Sequence, residues 1–427
     1  MRKNTAWAFA GNSVYAGCQW VVFVLLVKML SAEHAGTFAY AAAITGPVFV
    51  LTNVRLRNLL ATSVETNGGF TDYVTARVFT TMAGIVISIG AAMVMSPAAG
   101  SLAVVGVMAL GRACDALSDI CHGLFQREFD MRSAAIGLSM NGFASVVFVA
   151  CSLMAWRSIL AATAAYAGGS LVALSVWDVP RTLRRQPADE SSSRTHRTRR
   201  GSIGSAVRLI TIALPLGISS AVGSVQTNIP RFVIAFALGA ASLAKFAAIS
   251  YITLIGHLVV NATSQAALPI LAKDVRVSDP VYRTRLTFLV CGTIVAGAVT
   301  LLVTFMYGDV VLAFIYGREY ASDARVLFWL AAGTVVTFAS VFLGTGTTAR
   351  QRFKSQLAIS LVTLAVVGAC TAPFVRRFGL IGAAWALCLG AAVEFSAYAL
   401  LTIRDLKYPA LVVPEVAPTP VAEGIAP

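Results

Sequence analysis

Five basic residues (Lys28, Arg55, Arg112, Arg231, Lys245) and three acids (Asp115, Asp119, Glu394) lie inside long apolar runs of the chain. A charge at mid-bilayer costs at least about 2.5–3.5 kcal/mol, so such a group faces a bundle interior, a wet cavity or a partner. Depth separates them. Arg112 and Asp115 fall near the middle of the apolar run 99–122, Glu394 about two-thirds of the way through 379–402, and Arg55 in the inner third of 37–60. Lys28, Arg231 and Lys245 lie nearer the outer ends, where a long side chain reaches the head groups by snorkelling.

Arg112, Asp115, Asp119 and His122 are spaced i, i+3, i+7, i+10, which puts all four on one stripe of a helix. Two readings follow. An internally neutralised Arg–Asp pair locks helix packing; alternatively the stripe faces a cavity, where Arg112 attracts an anionic cargo and Asp115 or Asp119 titrates or holds a cation. The guanidinium fork suits phosphate because it donates two parallel hydrogen bonds. A carboxylate beside it competes with phosphate for the same arginine, which is a means of coupling ion movement to cargo movement.

The segment QTNIPR, residues 226–231, interrupts another apolar run. Pro230 removes a backbone donor and disfavours helix at Ile229, so a break is expected there, with Asn228 and Arg231 beside it. Such a break either binds a polar or anionic ligand or is a plain kink. Pro215, and Gly46 with Pro47, are further bend points. His257, Asn261 and Gln265, spaced i, i+4, i+8, form a polar stripe that is either interhelical glue or a polar cavity wall. With five bases against three acids, an anionic cargo is favoured.

Enzyme motifs are lacking: the sequence has no phosphate-binding P-loop, no HExxH zinc motif and no GxSxG elbow. Its seven cysteines all fall in apolar runs without a CxxC pair, and read as small packing residues. Cys114 and Cys121 with His122 make a poor metal set, so no metal or cofactor is expected. The net charge of +14 raises nucleic acid as a partner. Cytoplasmic loops of a polytopic protein explain it better, since basic residues collect there and fix orientation.

The elements that position these residues follow from composition. Of 427 residues 57% are hydrophobic and 12% charged, and the mean hydropathy is +0.77. A soluble domain carries about 25% charge. The apolar material comes in blocks long enough to cross about 30 Å of hydrocarbon as helix. Backbone groups in lipid must pair internally, and the alternation of a barrel strand is absent, so the blocks are helices. An all-α integral membrane fold of twelve transmembrane helices is expected, at about 7–30, 37–60, 74–96, 99–122, 133–155, 158–180, 208–234, 243–270, 286–306, 325–348, 356–375 and 379–402. The run after Met1 imitates a signal peptide, yet it is too long and lacks a convincing cleavage site, so it is expected to be the first span.

With both termini in the cytoplasm, inner segments hold 23 Lys and Arg residues and outer segments five. That asymmetry decides the orientation. Residues 1–180 form an N-terminal six-helix lobe, 181–207 a basic cytoplasmic linker, 208–404 a C-terminal six-helix lobe and 405–427 a Pro-rich disordered tail. A short internal repeat supports the division: LSAEHAGTFA (30–39) and LGAASLAKFA (238–247) share Leu, Ala, Phe and Ala, and Ile44-Thr45 matches Ile252-Thr253 at the same offset. Both copies sit at the same point of each half. Parallel halves of that kind are related by an axis along the membrane normal.

LSAEHAGTFA at 30–39, QREFDMR at 126–132, ALPLG at 213–217 followed by NIPR at 228–231, and FIYGREY at 314–320 occur in order along the chain. In that order and spacing the chain resembles the Wzx-type O-antigen and exopolysaccharide translocases over about residues 4–404. These form the polysaccharide-flippase branch of the multidrug/oligosaccharidyl-lipid/polysaccharide exporter superfamily. The resemblance implies two lobes around a central cavity. It also implies translocation of undecaprenyl-pyrophosphate-linked oligosaccharide across the bacterial inner membrane by alternating access, ion-coupled to H⁺ or Na⁺, with no covalent chemistry. Membrane lipids, the lipid-linked oligosaccharide and a polysaccharide polymerase or export machinery are the partners it implies, and nucleic acid is not. On this reading Arg112, Arg55 and Arg231 hold pyrophosphate; Asn228, His257, Asn261 and Gln265 line the sugar cavity; Asp115, Asp119 and Glu394 serve ion coupling. Two rivals remain. A cation-coupled multidrug antiporter of the same superfamily wants an acidic cavity, and a membrane polymerase or ligase wants a long outer loop, whereas the longest here is about 307–324.

Overall fold

The computed structural model describes residues 2–62, 69–95, 99–185, 203–277 and 279–407. Most of the expected basic linker (186–202) and nearly all of the expected tail (408–427) lie outside the described residues. All regular structure among the described residues is helical. That is what lipid demands of the backbone, because each peptide group then pairs within its own segment.

The N-terminal half comprises α1 (Arg2–Met29), α2 (Ala32–Thr52), α3 (Leu56–Thr62), α4 (Phe70–Met95), α5 (Ala99–Arg127), α6 (Met131–Trp156), α7 (Ile159–Val172) and α8 (Val179–Leu183), with a π-helical stretch, Ala173–Asp178, joining the last two. The C-terminal half comprises α9 (Ile203–Val277), α10 (Asp279–Tyr316), a 3₁₀ turn (Arg318–Asp323), α11 (Ala324–Ala349) and α12 (Phe353–Lys407). Among the described residues ten segments are long and apolar enough to cross a membrane, including the 56-residue Ser220–Val275 and the 51-residue Lys354–Arg404. At 1.5 Å per residue a helix needs only about 20 residues to cross the hydrocarbon, so each of these holds enough chain for two crossings.

Each of the two long helices is broken at a single glycine. Gly239 (φ 84°, ψ 174°) interrupts α9 and Gly379 (φ 61°, ψ −139°) interrupts α12. Both have the positive φ that glycine adopts without a steric penalty. The break expected at Pro230 is therefore corrected: the chain stays helical through 226–231 and turns eight residues later. A proline costs one backbone bond, which a packed membrane helix tolerates; Pro47 inside α2 is tolerated in the same way.

The single span expected at 37–60 is also corrected. It ends at Thr52, and Val54 (φ 38°) and Arg55 (φ 55°) take left-handed backbone before α3 begins at Leu56. Arg55 thus stands at a break and not within a spanning helix.

The two halves meet along α2 and the first part of α9, where Tyr40 and Phe236 stack edge to face with centroids 6.4 Å apart. The repeated segments lie against each other: a Cβ on Gly36 would strike the backbone of Ala240. Phe38 and Ala39 of one copy and Phe246 and Ala247 of the other share one buried cluster. α1 crosses to the far half as well, with Phe23 and Tyr251 centroids 5.0 Å apart. Trp20 Nε1 donates to the Tyr316 hydroxyl at 2.9 Å, which in turn donates to the Ala248 carbonyl at 2.7 Å.

At the opposite end of the N-terminal half, Asp130 caps α6 by accepting from the Ser133 amide (3.1 Å) and hydroxyl (2.7 Å), and it is ion-paired with Arg185. Arg185 also reaches Glu128 at 2.8 Å. Burial works to raise the Asp130 carboxyl, but the Arg185 and Ser133 hydrogen bonds overcome it and bring the pKa down to about 2. A carboxyl depressed below its unfolded value of about 3.9 contributes stability above that pH and loses it as pH falls through the folded value. Asp130→Asn is expected to lower unfolding stability in micelles by about 1–2 kcal/mol at pH 7, with the difference shrinking by about half at pH 3. Equal stabilities at pH 7 would contradict the clamp.

Candidate functional site

The ionisable stripe of α5 is sorted by what packs against it. At its lower part, Asp119 is shared by two arginines, Arg57 Nη1 at 3.3 Å and Arg77 Nη2 at 3.0 Å. Arg77 is wholly buried and also donates to the Asn53 carbonyl (3.1 Å) and side-chain oxygen (2.6 Å). It thereby ties α4 and α5 to the break that carries Val54 and Arg55. The charge count placed Arg77 among cytoplasmic loop cations; its place is inside α4, neutralised by α5. Asp119 is occupied by this lock. One turn on, His122 Nε2 meets Asp178 Oδ1 at 3.1 Å, both buried, where the π-helical stretch ends.

The upper part of the stripe is different. Arg112 Nη1 lies 3.8 Å from Asp115 Oδ2, a looser approach than the lower pairs, and Asp115 Oδ1 accepts from Asn141 of α6 at 2.8 Å. The Arg112 side chain is 31% exposed. Tyr15, Tyr166 and Tyr251 are its electrostatic neighbours besides Asp115. Tyr251 also acts on Arg231. One tyrosine of the C-terminal half thus stands in the field of both arginines, which come from different halves of the chain. Arg112 and Arg231 share this tyrosine neighbour, while Arg57 and Arg77 share Asp119 lower on α5. The upper site holds phenol hydroxyls, the Asn141 amide and two guanidinium groups: donors in excess, with one carboxylate.

Arg231 is half-buried, and its Nη1 donates to Asn228 Oδ1 at 3.3 Å, while Asn228 Nδ2 donates to the Ser224 carbonyl at 2.8 Å. Arg55 is exposed and separate from this pair: its Nε donates to Ser220 Oγ at 2.7 Å. Ser220 precedes Arg231 by three helical turns, or about 16 Å along α9. His257 is half-buried with its ring edge-on to Phe338 at 4.8 Å, and Asn261 and Gln265 are exposed below it. Glu394 is not brought to the arginines. It neighbours Tyr398, which belongs to the separate cluster of Leu271, Tyr282 and Leu343. Lys245, expected to snorkel, is instead ion-paired with Asp323 at 3.0 Å, whereas Lys28 is exposed.

Sequence reasoning missed Arg77, Asp178, Asn141 and the three tyrosines. The tyrosines left a signal, since each is a polar-tipped ring inside an apolar run; the partners of Arg77 and Asp178 lie 42 and 56 residues away and left none. Among the described residues no group of three His, Cys, Asp or Glu is arranged to hold a metal ion.

The lock and the upper site should respond oppositely to mutation. Removing one partner of a buried ion pair strands the other charge and costs about 3–5 kcal/mol. Asp119→Asn leaves Arg77 without its carboxylate, so a strong loss of folded protein in the membrane and a lowered melting temperature are expected. Arg112→Gln should leave both near wild type. Wild-type levels and melting of Asp119→Asn would remove the lock.

The family model described as "Polysaccharide biosynthesis protein" matches residues 1–274. The capsular polysaccharide biosynthesis protein CapF of Staphylococcus aureus is 23% identical over 399 residues, spanning 93% of this chain and 98% of CapF. Among solved structures, the lipid II flippase MurJ in an inward closed conformation superposes with a TM-score of 0.74, at 11% identity, over 93% of this chain and 88% of that one. An inward-facing multidrug resistance MATE family transporter of the MOP superfamily superposes with a TM-score of 0.72, at 11% identity, over 95% of this chain and all of that one.

Proposed function

The chain belongs to the polysaccharide biosynthesis protein family and has the fold of a MOP-superfamily transporter, and from that premise we propose that it is a flippase for lipid-linked oligosaccharide. It moves undecaprenyl-pyrophosphate-linked repeat units across the bacterial inner membrane by alternating access and performs no covalent chemistry. Capsule, exopolysaccharide and O-antigen assembly all present this pyrophosphate handle, and a polymerase or export machinery takes the unit afterwards.

The observation that carries this reading is the position of Arg112 and Arg231 in the field of one tyrosine, Tyr251. Asp115 offsets one of these charges, and no carboxylate among the described residues is ion-paired to Arg231. Two guanidinium forks against a single acid make a site for a doubly phosphorylated head group. Arg55, at its different depth, serves as a first contact for the same phosphates near the mouth. Asn228, His257, Asn261 and Gln265 line the path for sugar. Asp115 couples the ion, because its carboxylate and the pyrophosphate compete for Arg112; Glu394 is the second acid available for coupling, and Asp119 contributes only through the lock that holds α5 in place. A cation antiporter of this fold would want the opposite balance of charge.

Twelve crossings in two six-helix lobes, 1–180 and 208–404, accommodate the double-length helices, with Gly239 and Gly379 as the hairpins. A cytoplasmic linker (181–207) and tail (405–427), and cytoplasmic termini, follow from the distribution of basic loops.

Proteoliposomes containing a fluorescent undecaprenyl-pyrophosphate disaccharide test the reading. Arg112→Gln and Arg231→Gln should each slow translocation at least tenfold at unchanged protein level and melting temperature. Normal flipping in both variants would overturn it.

A further inference from the structure

The second part of α9 has two unlike faces. At 100° per residue, Tyr251, His257 and Asn261 point to one side of the helix, and Ile252, Gly256 and Val259 to the other. The second side borders a groove of about 520 Å³, walled by α10 and floored by α11. Its chemistry is uniform. Six threonines line it (Thr253, Thr263, Thr293, Thr300, Thr304 and Thr334), and each turns its hydroxyl back to donate to a carbonyl of its own helix. What they leave to the groove is methyl groups. The remaining lining is aliphatic or aromatic, so the groove offers nothing to a sugar or a phosphate and suits a hydrocarbon chain.

Length selects among hydrocarbon chains. The α10 wall runs from Phe288 to Thr304, which is about 24 Å of helix and most of the roughly 30 Å hydrocarbon depth. An acyl chain confined to one leaflet covers only about half that depth, about 15 Å. A groove of one chemistry through both leaflets fits a chain longer than one leaflet.

We propose that this groove seats the polyprenyl chain of the lipid-linked substrate while its head group occupies the Arg112–Arg231 site on the other face of the same helix. The inference rests on the flippase reading and adds to it a site for the lipid tail. Head and tail then straddle the second part of α9, passing beside the exposed Asn261 and Gln265. Tyr251, in the field of both arginines, and Ile252, in the groove, are consecutive residues, so a tilt of this one segment moves both sites together.

Gly292 provides the test. It lines the groove about a quarter of the way along the α10 wall, and a Cβ built there meets nothing within 4 Å. Gly292→Phe therefore adds an aromatic ring to the groove wall at a position where the backbone leaves room for a side chain. In proteoliposomes, pyrophosphate-linked disaccharide is offered on an undecaprenyl or on a short farnesyl carrier. Wild type should move both, and Gly292→Phe should move the farnesyl form normally and the undecaprenyl form at least fivefold more slowly. Equal rates for the two carriers in Gly292→Phe, whether both normal or both reduced, would overturn the groove alone. Should wild type move neither, the flippase reading itself falls, and photolabelling decides the groove separately. A diazirine-bearing undecaprenyl phosphate should label α10 and α11 residues of the groove in wild type and be displaced by unlabelled undecaprenyl phosphate. Displacement equally by phosphatidylglycerol would make the groove an ordinary lipid contact and end the proposal.

Discussion

A charge held in hydrocarbon has to be neutralised by a partner or kept wet, and α5 shows both outcomes one turn apart. Asp119 is gripped by Arg57 and by the wholly buried Arg77, and His122 is matched by Asp178. These contacts fix α5 against α3, α4 and the π-helical stretch. Above them, Arg112 has only a 3.8 Å approach to Asp115 and remains partly exposed. The lower turns hold the helix still so that the upper turn can keep a loosely paired guanidinium in place. A buried pair contributes little net stability, because desolvation offsets its attraction. What the Asp119 lock supplies is position: it holds the left-handed break at Val54 and Arg55 through the Arg77 bonds to Asn53.

How much of this was legible follows from the range of each interaction. The apolar blocks announced the spanning helices, because hydrophobic length is a local property. The spacing of Arg112 and Asp115 announced their pairing for the same reason. The repeat at 30–39 and 238–247 singled out two segments of the chain, and those segments pack together, Gly36 against Ala240. What failed depended on distant partners. Arg77 read as a loop cation since nothing near it in sequence declares Asp119. Pro230 read as a break because proline is a strong local signal, yet packing holds a helix through it; the turn at Gly239 falls in the gap expected between 234 and 243. Arg55 read as helical because two consecutive left-handed residues without glycine leave no mark in the sequence.

On the flippase reading, the contacts between halves say which steps of the cycle are costly. At the end bearing the repeated segments, α1 and α2 are joined to the C-terminal half by one continuous buried cluster and by the Trp20, Tyr316 and Ala248 hydrogen bonds. At the other end Ala206, Leu209 and Ala213 of α9 share a smaller buried cluster with Val54, Leu56, Leu60, Tyr73 and Ile120 of the N-terminal half, and Arg55 bonds to Ser220. Opening toward the first end requires separating an apolar seam, and apolar surface costs about 25 cal/mol for each Å² exposed. Opening toward the second separates a smaller cluster of the same kind, so the first seam is the larger obstacle. A head group drawing Arg112 and Arg231 toward the same phosphates acts across that seam. Its binding energy is the term available to offset the apolar contact, and a ligand shifts such an equilibrium only by as much as it prefers one state over the other. Two arginines from opposite halves can supply such a preference, because the distance between them must change as the halves tilt, whereas two on one half would bind equally well in either state.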